Sequence, residues 1–181
     1  MEKSKRELII TISGIAIIVI ALFTICYLSV VVKSGKMTRN VKLGTITMTY
    51  VDQNIAAVAP LKPMDDDVAM ASTNYFAFKL TSKKPTTEYI YFDPLKDNTL
   101  DKKHVKVALT VYDGQKETTI GYPKMVMDFD NYSPGYGYLV YSGEINSEVE
   151  YRFRIWVDIG SKQEEVSNLK YRVRVNAYGA A

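Results

Sequence analysis

The sequence has almost no cysteine and almost no histidine: Cys26 and His104 are the single representatives in 181 residues. A disulfide framework needs paired cysteines, so any folded domain here rests on its own core. Zinc sites draw most of their three or four ligands from Cys and His. Two such residues, one inside a hydrophobic run, do not supply them. Charge of one sign is lacking too. From residue 51 onward there are 16 Lys and Arg against 18 Asp and Glu, a net of −2. Nucleic-acid-binding domains carry a basic face, and this balance argues against a nucleic-acid partner. Long amphipathic helical patterns, internal repeats and low-complexity tracts are also missing.

What the sequence does have is one long hydrophobic run. Residues 8–32 form 25 positions without a charged side chain. A bilayer core of ~30 Å needs about 20 apolar residues in a helix, so the run predicts a single transmembrane helix. Residues 1–7, with Lys3, Lys5 and Arg6, are then a cytoplasmic n-region. The rival reading is a cleaved secretory signal, leaving a secreted protein. Signal h-regions span about 7–15 residues and end at a small-residue cleavage site. The nearest such site here has Val32 at −3 and Ser34 at −1. Residues 33–43 read as a juxtamembrane tether whose Lys33, Lys36, Arg39 and Lys42 suit lipid headgroups. Basic residues flank both ends of the run, so they do not orient it. The domain at 44–181 is assigned outside the cell because no second span follows.

That domain alternates with period two. Ile46, Met48 and Tyr50 share one face, as do Phe76, Phe78 and Leu80, and Val105, Val107, Leu109 and Val111. Such alternation is the mark of half-buried strands. Asp113-Gly114 marks a hairpin turn. Pro60 and Pro63 interrupt residues 55–70, which read as a crossing loop with a helical turn near residues 65–70. In the last two strands Tyr151, Phe153, Ile155 and Val157, then Leu169, Tyr171, Val173, Val175 and Ala177, form the apolar faces. The short connector at 160–168 predicts that these two strands pair antiparallel. About eight closely spaced strands give an all-β, two-sheet antiparallel β-sandwich.

Several residues invite a functional reading. Arg152, Arg154, Arg172 and Arg174 fall on the outer face of the last two strands. Arg forks suit phosphate and carboxylate, so an anionic cell-wall polymer is a candidate partner. The plainer reading pairs them across strands with Glu148 and Glu150. Tyr132, Tyr136 and Tyr138 cluster in residues 131–138, among 14 tyrosines in all. Tyrosine gives rigid amphipathic contact area, so this is a candidate contact loop; alternatively the rings fold back over the rim. Asp65, Asp66 and Asp67, and Asp128, Asp130 and Asn131, are oxygen-rich loop groups of the kind calcium takes, or else solvated acidic loops. His104 stands alone, without a nucleophile-elbow sequence to give it a catalytic role. No cofactor is called for.

The C-terminal strands carry a resemblance. Tyr151, Arg154, Ile155, Trp156, Val157 and Asp158, followed by Lys170, Tyr171 and Ala177, resemble the closing strands of the TasA/camelysin-like exported proteins of low-GC Gram-positive bacteria. Residues 74–83, 100–110 and 139–145 are similar to earlier strands of that group. The resemblance covers residues 44–178 and the N-terminal hydrophobic segment. It implies a jelly-roll-like sandwich and a structural role at the cell surface. Some relatives build biofilm-matrix fibres by donating an N-terminal strand to the next subunit. Camelysin is described as a protease, but no motif here carries that chemistry. The long hydrophobic run departs from a freely polymerising subunit. The expectation is therefore a non-enzymatic cell-surface interaction protein, partnered by the lipid bilayer and by copies of itself or related subunits through strand pairing around residues 46–51. A metalloprotease-like enzyme and a single-span phage or viral envelope protein are the alternatives.

Overall fold

Period-two alternation carries more than half of the described residues into strands. The computed structural model describes residues 38–59 and 61–180. The hydrophobic run at 8–32 lies outside the described residues. None of the described helices is long and apolar enough to cross a membrane.

Two antiparallel sheets result. The larger has the spatial order β1 (Thr38–Leu43), β2 (Ile46–Val51), β5 (Phe76–Thr81), β11 (Glu148–Asp158), β7 (Val105–Tyr112), β8 (Glu117–Met125). The two-residue β4 (Pro63–Met64) pairs parallel to the end of β11. The smaller sheet runs β3 (Ile55–Ala57), β12 (Arg172–Ala180), β6 (Thr86–Pro94), β10 (Gly137–Ile145), β9 (Tyr132–Ser133). Their inner faces share one apolar core. Phe78, Leu80, Leu109 and Phe153 enter it from the larger sheet, Ile90, Phe92, Val173 and Val175 from the smaller, all at most 1% exposed. Phe92 and Phe153 meet across the gap with ring centroids 5.9 Å apart. The strand phases predicted for Phe153, Ile155, Val173 and Val175 hold, and the all-β, sandwich-like character with them.

A second, smaller cluster lies on the outside of the larger sheet. Helix α1 (Asp66–Ala71) lays Ala69 against Ala108 and Trp156, leaving the single tryptophan 2% exposed. This helix fills the place of the helical turn expected near residues 65–70. The rest of the predicted crossing loop is more regular than expected, because it contributes β3 and β4.

Three expectations are corrected. The last two long strands do not pair. β11 sits between β5 and β7 in the larger sheet, whereas β12 sits between β3 and β6 in the smaller one. The connector, with helix α2 (Gln163–Val166), bridges the two sheets rather than closing a hairpin. Next, residues 38–43 are not tether but strand: β1 pairs with β2 from Thr38↔Val51 to Leu43↔Ile46. As a consequence, the strand at 46–51 is not an edge. It lies between β1 and β5, with Ile46 and Met48 1% exposed in the core. The hairpin joining β1 to β2 turns on Gly44 and Thr45. Gly44 takes φ +64, the left-handed region that glycine enters without steric cost.

Candidate functional site

The four arginines do not form one face. Arg152 and Arg154 point outward from the larger sheet, and Arg172 and Arg174 point outward from the smaller one, so the core separates the two pairs. Arg154 is not at the surface at all, being 3% exposed. Its guanidinium donates to the carbonyl of Ser72 at 3.2 and 3.3 Å, to the Thr110 hydroxyl at 3.2 Å and to both oxygens of Glu117. Arg152 donates to Glu117 at 3.0 Å and to Glu150 at 3.2 Å, and stacks its fork 3.6 Å from the Tyr112 ring centre. Partial burial alone would raise the Glu117 pKa, but hydrogen bonds from Arg154, Thr110 and Arg152 outweigh it and hold the carboxyl at about 2. This is a three-strand ion network over β11, β7 and β8. Glu117, which sequence reasoning did not name, is its centre. On the smaller sheet Arg172 pairs with Asp97, which also takes Lys170 at 2.8 Å. Arg174 is exposed on β12, opposite Asp93.

The tyrosine loop divides. Tyr138 turns inward, with ring centroids 5.4 Å from Phe92 and 6.3 Å from Phe129. Tyr132 packs edge-on to Tyr138 at 5.1 Å and donates its hydroxyl to Asp93 at 3.3 Å. Tyr136 folds onto the outer face of the smaller sheet, 5.4 Å from Tyr91 and 5.8 Å from Tyr178. Tyr89 extends the row, 6.5 Å from Tyr91. Asn176 holds the loop down by donating to the Tyr136 carbonyl at 2.9 Å. The result is an open aromatic patch on β6 and β12. The period-two spacing of Tyr89 and Tyr91 was the sequence signal for half of it. Tyr178 joins through its register opposite Tyr89 and its ring contact with Tyr136, neither of which sequence spacing shows.

The remaining candidates are dispersed. Asp66 pairs with Lys106 at 3.0 Å, and the same ammonium reaches Asp158 at 2.8 Å. Asp65 precedes helix α1 without capping it through its side chain. Asp128, Asp130 and Asn131 stay exposed in their loop. Among the described residues no three His, Cys, Asp or Glu side chains gather to hold a metal ion. Nδ1 of His104 lies 2.9 Å from Oγ of Ser161. That bond ties the turn before β7 to the connector after β11.

One buried acid was not anticipated. Glu88 points from β6 into the core at 1% exposure, accepts from the Tyr151 hydroxyl across the sheet gap, and leaves its other oxygen without a partner. Burial raises its pKa, against the lowering effect of the Tyr151 bond. Burial likewise raises that of Tyr151, together with the Glu88 bond. The pair reads as a cross-sheet tie between β6 and β11.

Among the described residues, β1, β8, β3 and β9 end the two sheets. β3 has three residues and β9 two. β8 is an edge whose register with β7 shifts between Ile120 and Lys124, around Gly121 at φ +77 and Pro123. β1 differs: its six residues keep an unbroken register with β2, and Thr38 to Lys42 are all exposed. No described strand lies on its far side. Compared with known protein families, curated proteins and solved structures, the chain matches none.

Proposed function

We propose that the protein is a non-enzymatic cell-surface protein, anchored by residues 8–32 as a single span, whose jelly-roll-like β-sandwich associates with further copies by strand pairing along β1. The observation that carries this reading is the contrast among the four sheet edges. An open edge presents a row of unpaired N–H and C=O groups to any incoming strand. Short strands, bulges and proline blunt such edges, and β3, β9 and β8 each have one of these features. β1 has none beyond the charges of Arg39 and Lys42. Resemblance to fibre-forming TasA-like proteins points the same way. The pairing strand is β1, however, and not the strand at 46–51 that the sequence favoured.

Disulfide trapping tests the idea on the full chain in lipid nanodiscs, with Cys26 replaced by serine. Single cysteines are placed at Thr38, Asn40 and Lys42 on β1, and at exposed Thr119 on β8 as a control. Strands paired edge to edge bring facing Cα atoms to about 4.5–5.5 Å, within the Cα separation that a disulfide spans. Dimers from one or more β1 positions, and none from Thr119→Cys, are the expected outcome. No β1 dimer, or equal yield from the control, rejects the proposal.

The tyrosine patch favours a second, compatible contact. Four rings on a rigid sheet, with Tyr136 39% and Tyr178 37% exposed, offer the low-entropy area that recognition surfaces use.

A further inference from the structure

Three of the four arginines on which the sequence rested its anion-binding hypothesis are engaged by the protein's own carboxylates, and Arg174 stands exposed away from them. A group of three lysines lies at one end of the fold. A cleft of ≈ 560 Å³ opens between the β1–β2 hairpin and the β5–β6 loop, and its lining contains three lysines, Lys42, Lys83 and Lys84, and no carboxylate. None of the three makes an ion pair among the described residues. We propose that this cleft is a binding site for the phosphate group of a phosphodiester-linked, hydroxyl-bearing ligand such as a cell-surface polyol phosphate.

Strand register builds the floor. Lys42 stands opposite Thr47, and Thr47 stands opposite Thr81, so the three side chains form one outward-facing row across β1, β2 and β5. Glu148 continues the row on β11, opposite Thr81, but the Lys79 ammonium occupies it at 2.7 Å. The other wall is the loop after β5. Its backbone is pinned from below by two buried hydroxyls: Ser82 donates to the Lys84 carbonyl at 2.6 Å, and Thr86 donates to the same oxygen at 3.0 Å. Ser82 and Thr86 are only 6% and 5% exposed. Pro85 restricts the loop further. Lys83 and Lys84 are thus presented from a fixed backbone while their own side chains stay in solvent.

The chemistry of the lining selects the ligand. Lysine is a compact point charge with rotatable donors, suited to a tetrahedral oxyanion; bidentate recognition of planar carboxylate falls to arginine. No arginine lines the cleft. Threonine hydroxyls on the floor donate and accept, which matches the hydroxyls of a polyol. The volume lies within the range of small-molecule sites and leaves room for more than a bare anion. Of the three lysines only Lys42 lies on β1, so failure of strand pairing there leaves Lys83 and Lys84, and with them this inference, in place.

The test uses the full chain in a non-ionic detergent, titrated calorimetrically at low and moderate salt. Three probes are used: poly(glycerol phosphate), inorganic phosphate and neutral dextran. Poly(glycerol phosphate) is expected to bind, to bind more tightly than inorganic phosphate, and to weaken with added salt. Lys83→Gln/Lys84→Gln is expected to lower its affinity about tenfold or more, because close charge contacts contribute strongly to such complexes. The exposed pair Lys102→Gln/Lys103→Gln serves as a charge-matched control and is expected to change it little. Melting curves of both double variants check that the fold is kept. Equal loss in the control pair identifies a diffuse charge effect and overturns the site. Undiminished binding by Lys83→Gln/Lys84→Gln, or no binding at all, overturns it as well. Inorganic phosphate binding as tightly as the polymer overturns the polyol assignment, and dextran binding as tightly overturns the phosphate assignment.

Discussion

Replacing Gly44 by alanine probes the contact that joins the two sheets at one end of the molecule. Thr45 N–H donates to the carbonyl of Gly179 at 3.1 Å, linking the β1–β2 turn to the end of β12. A Cβ on Gly44 would fall far inside van der Waals contact with that carbonyl oxygen and 3.0 Å from a ring carbon of Tyr178. The obstacle is backbone, so a rotamer change does not relieve it. Left-handed φ +64 adds the cost of a side chain in that region, about 1–2 kcal/mol. Displacing Gly179 loses one hydrogen bond, worth about 1 kcal/mol net. A loss of about 2–3 kcal/mol follows, which in a domain of this size lowers Tm on the order of 10 °C. Gly135→Ala is the control. It has φ +85 with nothing within 4 Å of its Cβ, so it carries the backbone cost without the collision. Thermal melts and amide exchange are measured on both. Gly44→Ala is expected to melt lower than Gly135→Ala and to speed exchange in β1 and β2. Equal melting points, with β1 exchange unchanged, refute the reasoning that the two glycines form an obligatory close approach.

Phe153→Ala is expected to cost about 3–5 kcal/mol in denaturant titrations, since a ring at 0% exposure is removed from between the sheets; a loss under 1 kcal/mol contradicts its place in the core. Glu117, held at about 2, contributes stability that is full above its ordinary value of 4.5 and is lost as pH falls toward 2, by at most about 3 kcal/mol. Glu117→Gln is therefore expected to flatten the acid limb of the stability curve, and an unchanged limb rejects the network's role. Glu88 has the opposite sign: with its folded pKa raised, its contribution is full below 4.5 and is lost as pH rises through the folded value. The stability difference between Glu88→Gln and the parent should move in the variant's favour as pH rises, and a difference independent of pH argues against a raised pKa.

Strand phase was legible in the sequence, and strand pairing was not. The apolar face of β7, β11 or β12 follows from period two, because each strand buries one side whichever sheet it joins. Nothing in that alternation says which strand lies beside it. Val149 to Val157 and Val173 to Ala177 present the same pattern whether they form a hairpin or face each other across a core, and here they do the latter. β1 was illegible for another reason. The side chains of Thr38 to Lys42 stay in solvent, so selection for burial left no alternation to read, and backbone pairing with β2 makes the segment a strand. The tyrosine patch and the lysine cleft draw on segments far apart in sequence, which only register brings together.

The fate of the arginines explains why the candidate ligand site moved from strands to loops. A guanidinium on a sheet face has neighbouring strands at about 4.8 Å on both sides, so its five donors meet acceptors belonging to the protein itself. Arg154 reaches a helix-terminal carbonyl, a threonine and a glutamate in this way, and Arg152 reaches two glutamates and a tyrosine ring. Such a group is no longer available to an outside anion without leaving Glu117 half-buried and unpaired, which costs more than a surface contact returns. At a loop end there is no flanking strand to supply acceptors. Lys83 and Lys84 project from a turn whose own polar groups are consumed by Ser82 and Thr86, so their charge is left facing solvent. The same physics that made the arginine row attractive in sequence, a regular line of cations across adjacent strands, is what allows the sheet to neutralise it.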